Sequence, residues 1–260
     1  MSALLRTWRV SGLLAAVLLL AAAGPARAES TWWSNSLEIG GQVLSSPVEG
    51  SWEGYALAAG CGGLFAAGLL HEREWYRGVQ GARDPWQDKI MPPLTLLGDG
   101  LVHVGAYAAL YQFGDSYDQS VAAMAIEGQI NVAVLSTLLK LTFTAERPGA
   151  QAEPRDWFTL SLRNLSFPSG HSMTAFCAAA IFGDAYHLEW LTFPLAAAVA
   201  YSRVYNEDHW PADVIAGAGL GVLVGYTVRA FHAREGSEPG VRFSVLPGPD
   251  GAKVVLTCAF

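Results

Sequence analysis

Between residues 55 and 231 the chain repeats one pattern, an apolar stretch followed by a polar connection. The apolar stretches run over about 55–70, 94–113, 121–139, 172–186, 189–204 and 212–231, lengths that suit helices and exceed ordinary strands. Short connections between helices predict antiparallel neighbours. The tail changes period. Val241 to Leu246 and Ala252 to Phe260 flank a Pro-Gly-Pro-Asp-Gly turn, which predicts a β-hairpin packed on the bundle. The expected fold is all-α, an antiparallel bundle of about six helices with a small C-terminal β-hairpin.

Ahead of the bundle, Arg6 and Arg9 precede the apolar run Gly12 to Ala23, and Ala26-Arg27-Ala28 offers small residues for cleavage before Glu29. That is the pattern of an export signal. The expected organisation is a signal peptide at 1–28, a Trp-rich lead at 29–53, the helical domain at 54–235 and the hairpin tail at 236–260. In an up-and-down bundle the connections after the first, third and fifth helices lie at one end. These hold segment 71–93, the region Lys140 to His171, and Arg203 to Asp213. Segment 71–93, with Arg73, Trp75, Arg77, Arg83, Trp86 and Lys89, reads as a long amphipathic connection more readily than as a substrate lid.

The polar residues at that end form three clusters. In the run Ser202-Arg203 to Asp213, Pro211 is a natural first helical residue, so His209 lies just before a helix start and Asp213 about one turn on. A carboxylate so placed reaches one imidazole nitrogen, fixes the tautomer and leaves the other free to attack phosphorus. His209 is the candidate nucleophile. Pro168-Ser169-Gly170-His171 turns the chain into a helix beginning near Ser172, whose unpaired N–H groups favour an anion. His171, at that entrance, is the candidate acid and base, and Gly170 allows close backbone approach. Lys140 and Arg147 add charge, and Arg203 completes a clamp for the charge of an in-line phosphoryl transfer. Each cluster alone has a plainer reading: a solvated helix end, a common turn, a capping pair. The three together in this order do not. His71, His187 and His232 read as ordinary loop or helix-end residues, and His103 as a polar pair with Asp99.

These clusters resemble the signature of the superfamily of type 2 phosphatidic acid phosphatases, class A acid phosphatases and vanadium haloperoxidases. Lys140 and Arg147-Pro148, then Pro168 to His171, then Ser202-Arg203, His209 and Asp213 match its three parts without departure over roughly Leu94 to Phe231. The resemblance implies a metal-independent, cofactor-free phosphatase working through phosphohistidine. In it Lys140, Arg147, Ser169, Gly170 and Arg203 bind phosphate, while His209, His171 and Asp213 are catalytic. The implied partner is a phosphate monoester or diphosphate, lipid-borne or soluble. A vanadium haloperoxidase and a non-catalytic phosphate- or lipid-binding membrane protein are the alternatives.

Composition narrows the partners. With 52% hydrophobic and 15% charged residues, the chain suits a large core or a membrane and not a disordered protein. A net charge of −7 argues against nucleic acid. Of the three cysteines, Cys61 and Cys177 fall in apolar stretches and are expected in the core, and no disulfide follows from the spacings. The lipid-phosphatase branch has six spans and an outward site. Here six spans behind a signal peptide would place the connection after the third helix in the cytoplasm. Segment 55–70 also makes about 24 Å of helix against an apolar core of about 30 Å, and 121–139 carries Glu127, Gln129 and Asn131. The expectation is an exported, periplasmic protein, soluble or membrane-associated, with an integral inner-membrane protein as the alternative.

Overall fold

The computed structural model describes residues 32–45, 52–148, 155–162, 165–237, 241–248 and 251–258, with side chains over 37–43, 59–148, 155–162 and 165–233. The export signal lies outside the described residues. The chain is mostly helical, with α1 Trp32–Ser45, α2 Trp52–Leu70, α3 Glu72–Gly81, α4 Gln87–Thr95, a 3-10 turn Leu96–Gly98, α5 Gly100–Phe113, α6 Ser116–Phe143, α7 Gly170–Tyr186, α8 Glu189–Tyr205 and α9 Pro211–Ser237. The described residues thus hold nine α-helices where about six were expected. Each apolar stretch is helical, and two causes add to the count. The lead contributes α1, and connection 71–93 is itself largely helical as α3 and α4. Stretch 94–113 is broken at Asp99, which leaves the helical region and caps the next helix by accepting from Leu101 N at 2.9 Å. The two halves meet at 59°.

In the tail, the backbone of Val241–Gly248 runs antiparallel to Gly251–Cys258, with Val245 opposite Val254. The side chains of these strands lie outside the described residues, as does any packing of them on the bundle.

Helix α7 is the centre, with α6, α8 and α9 around it. Contacts along the helices give their directions. Tyr117 donates to Ala185 O at 2.5 Å and Gln129 to Thr174 at 3.3 Å, so α6 and α7 are antiparallel. Helix α9 runs parallel to α7. A Cβ on Gly217 would lie 2.6 Å from Ser169 O, one on Gly221 2.4 Å from Met173 O, and one on Gly225 2.7 Å from Cys177 O. Three glycines one turn apart on α9 therefore let its backbone ride along that of α7. Around this contact Met173, Cys177, Ile181, Val224 and Val228 form the main core with Val121 and Ala125 of α6. Ile39 and Val43 of α1 join it.

Two expectations change at the periphery. Cys177 is buried, but Cys61 is exposed. Glu127, Gln129 and Asn131 of α6 face inward and are buried. Glu127 meets His232 at 2.6 Å, and Asn131 donates to Glu127 O at 3.0 Å. The outward side of the same helix presents Val134, Leu138 and Leu141, each at least half exposed. The polar residues of α6 are thus no bar to a membrane, since a polar group turned into the protein costs little there. Helices α6 and α9 are long and apolar enough to cross one.

Candidate active site

The helix directions bring the predicted residues together. Because α7 and α9 are parallel and α6 is antiparallel to α7, the starts of α7 and α9 lie at the same end of the bundle as the finish of α6. Arg203, in the last turn of α8, arrives there too. Two helix starts and two cations borne by helix ends make that end attractive to an anion. Ser169 caps α7, accepting from Ser172 N at 3.4 Å, and its own N–H donates to Asp213 O at 3.0 Å. The expected helix near Ser172 starts at Gly170, and the next starts at Pro211 as expected. A Cβ on Gly170 would meet only Ser136 Oγ, at 3.5 Å, an ordinary contact. Any need for glycine at that position comes from the ligand side.

His209 is buried, with Nδ1 at 3.4 Å from Asp213 Oδ2. A carboxylate accepts, so Nδ1 carries the hydrogen and Nε2 keeps its lone pair. Asp213 is fully buried. Its Oδ2 also accepts from Trp210 N at 3.0 Å and from Ser166 Oγ through a short bond, while Oδ1 is held by Arg155 Nη1. Burial pushes the His209 imidazole down to about 3, with Lys140 and Arg147 adding to the depression and Asp213 opposing it. His209 is accordingly neutral at pH 7, the state a nucleophile requires.

His171 opens α7 against the turn before α5. A Cβ on Gly98 would lie 3.0 Å from His171 Cβ and O, so only glycine allows that approach. Burial lowers its imidazole to about 4, helped by the charges of Arg203, Arg147 and Lys140 and opposed by Asp99. Three cations therefore act on one imidazole, as expected of groups that converge on one site. Lys140 Nζ donates to Pro168 O at 2.6 Å, Ser166 O at 3.2 Å and Leu165 O at 3.4 Å, and so fastens the turn before α7.

Arg147 Nη1 and Arg203 Nη2 share one carboxylate, Asp208, at 3.3 Å and 3.0 Å. Arg203 Nη1 reaches Thr95 Oγ1 at 3.3 Å. Its Nε is buried and has no hydrogen-bond partner among the described residues. A buried guanidinium N–H without an acceptor is costly, and an oxygen of a bound anion would satisfy it.

Arg155, Ser166, Thr95, Glu72 and Asp208 belong to this site and were not singled out in the sequence. All lie on connections or helix ends, and only Asp208 and Ser166 stand near a motif. Segment 71–93 docks on the same end: Gln80 donates to Val204 O at 2.8 Å, and Arg83 bridges Asp88 at 2.9 Å and Glu207 at 3.1 Å. His103 bonds to Tyr107 OH and Leu97 O, each at 2.6 Å, while Asp99 caps α5. His232 reads as ordinary in the sequence but has the buried Glu127 as partner.

Several known proteins are similar to this chain. The profile of the PAP2 superfamily matches residues 120–237. The lipid A 1-phosphatase of Porphyromonas gingivalis is 41% identical over 69 residues, which is 23% of this chain and 15% of that protein. Phosphatidylglycerophosphatase B of Bacillus subtilis is 27% identical over 172 residues, 58% of this chain and 78% of that one. Among solved structures, LpxE of Aquifex aeolicus superposes with a TM-score of 0.52 at 29% identity, covering 61% of this chain and 94% of its own. The profile match runs over the helices that carry Lys140, His171, Arg203 and Asp213, LpxE shares the fold, and over residues 120–237 the chain matches the PAP2 superfamily.

Proposed function

We propose that the chain is a metal-independent phosphatase acting on lipid phosphates at a membrane. The observation that carries the reading is the buried Arg203 Nε without an acceptor, set among Arg147, Lys140 and two helix starts beside a neutral, buried His209. In the proposed reaction His209 Nε2 attacks phosphorus in line, and the bond to the leaving oxygen breaks as His171 supplies its proton. Water then attacks the phosphohistidine, returns a proton to His171 and frees His209 and phosphate. Arg203 and Arg147, with the N–H group at Gly170, hold the equatorial oxygens, while Lys140 adds positive charge and Ser169 caps the helix start that faces them. Asp213 keeps His209 in the tautomer that leaves Nε2 free.

A lipid substrate is supported by relatives named for lipid A and phosphatidylglycerophosphate, and by the apolar exteriors of α6 and α9. The test is phosphate release by the purified full chain in detergent, with phosphatidic acid, phosphatidylglycerophosphate, lipid A and undecaprenyl diphosphate as substrates. We expect turnover on at least one of them that survives EDTA. Loss of all activity with EDTA, restored by zinc or magnesium, would overturn the mechanism.

A further inference from the structure

We propose that Arg155 is a positioning residue for the His209–Asp213 pair, itself held in place by Glu72. Arg155 comes from the connection between α6 and α7, far in sequence from the residues it touches. Its side chain is 1% exposed and that of Asp213 0%, so the pair is sealed from water. Arg155 Nη1 donates to Asp213 Oδ1. The other side of the guanidinium holds Glu72 at the start of α3, Nε donating to Oε2 at 3.0 Å and Nη2 to Oε1. The guanidinium plane also lies 4.4 Å from the ring centre of Trp157 and 5.9 Å from that of Trp210, which leaves it little room to turn.

The arrangement divides the work on Asp213. One carboxylate oxygen faces His209, Ser166 and Trp210, and the other is occupied by Arg155 alone among the described residues. A carboxylate with no contact to water needs a compensating charge to stay ionised, and a second fixed contact to keep its plane from rotating. Lys140 and Arg147 act on His209 but are committed to backbone carbonyls and Asp208. Arg155 is the cation in direct contact with Asp213. Glu72 accepts from the far side of the guanidinium and ties the pair to α3, so the row Glu72, Arg155, Asp213, His209 runs from the edge of the protein to the proposed nucleophile. Removing a group that orients a reacting residue through one intermediate lowers turnover about 10–100-fold in comparable metal sites.

The inference rests on His209 as nucleophile, and the experiment separates the two. Wild type, His209→Ala, Arg155→Met, Arg155→Lys, Asp213→Asn and the Arg155→Met/Asp213→Asn double variant are purified as full chains. Each is assayed on the lipid of the screen above that wild type hydrolyses fastest. Arg155→Met is expected to lower kcat about 10–100-fold with KM within about twofold, and Arg155→Lys to recover part of the loss. In the double variant the loss is expected to match that of Asp213→Asn alone within about twofold, because Arg155 acts through Asp213. A kcat in Arg155→Met equal to wild type, a loss confined to KM, or losses that multiply in the double variant would overturn the inference. If Arg155→Met does not fold, judged by tryptophan fluorescence on heating, Arg155→Lys in the Asp213 and Asp213→Asn backgrounds carries the same comparison. Full activity in His209→Ala would instead sink the nucleophile assignment.

Discussion

Ser169 gives its backbone N–H to the carbonyl oxygen of Asp213 at 3.0 Å, so the turn that bears His171 and the helix that bears the partner of His209 are joined main chain to main chain. The proposed acid and nucleophile are therefore fixed relative to each other by backbone, with side chains left to hold the substrate. Such rigidity is what an in-line displacement needs, since small misplacements of reacting groups cost orders of magnitude.

The proposed chemistry predicts unequal losses. His209→Ala should lower kcat by about 10⁴-fold or more, while Asp213→Asn, which disturbs orientation and leaves the attacking nitrogen in place, should cost less. Rapid acid-free quenching with ³²P-labelled substrate should show a base-stable, acid-labile phosphoprotein in wild type and none in His209→Ala. A phosphoprotein of equal yield in both would rule out His209 as the site of attachment.

Arg203 Nε, without a hydrogen-bond partner among the described residues, predicts that charge alone will not suffice. Arg203→Lys keeps the cation and loses the planar fork, so vanadate inhibition should weaken by about tenfold or more, the worth of one charge-assisted hydrogen bond. KM should change less, because vanadate resembles the five-coordinate state that the clamp favours. Equal shifts in both quantities would show that Arg203 serves ground-state binding only.

His171 predicts a proton uptake. With its imidazole near 4 in the empty site, it is neutral at pH 6.5, and a bound dianion raises that value by its charge. Sulfate, which has no proton to exchange at this pH, should therefore bind with uptake of a fraction of a proton up to one. It should bind more tightly as pH falls from 7 to 5. Calorimetry in two buffers of different ionisation enthalpy measures the uptake, and His171→Gln should abolish it. The same uptake in the variant would assign the proton elsewhere.

Gly221 predicts a stability effect that reaches the site. A Cβ there would lie 2.4 Å from Met173 O, which is backbone and has nowhere to yield, so α7 and α9 must move apart in Gly221→Ala. The cost of such overpacking is about 1–3 kcal/mol, a Tm lower by on the order of 5 °C. Gly219→Ala, whose Cβ would meet only Cys61 Cβ at 3.9 Å, should behave as wild type. Equal melting of the two variants would contradict the packing described.

The residues that read clearly in the sequence are those whose role depends on spacing along the chain. Pro211 announces the start of α9, and His209 and Asp213 then fall on the same side of it. Arg155 was invisible for the opposite reason. Its partners Glu72 and Asp213 are brought to it by folding, and an arginine in a polar connection looks solvated until its burial is known. The four-residue spacing from Asp99 to His103 presumes one continuous helix, whereas the backbone breaks at Asp99, which caps α5 while its charge still acts on His103. For α6 the presence of polar residues hid an internal division, with Glu127, Gln129 and Asn131 on the inward side and Val134, Leu138 and Leu141 on the outward one. A tally along the chain has no direction, so it could not separate a helix hostile to lipid from one that keeps its polar groups to itself.

The glycine contact between α7 and α9 also limits how this protein can change. Two backbones in touch leave no side chain between them to lengthen or trim, so the gap between His171 and His209 cannot be tuned by single substitutions as an ordinary pocket wall can. Accommodation of a bulkier or smaller substrate is thereby pushed to the parts that border the site without setting its spacing: connection 73–94 and the exposed stretch Phe158 to Leu162. The reacting centre is fixed, and adaptability belongs to its surroundings.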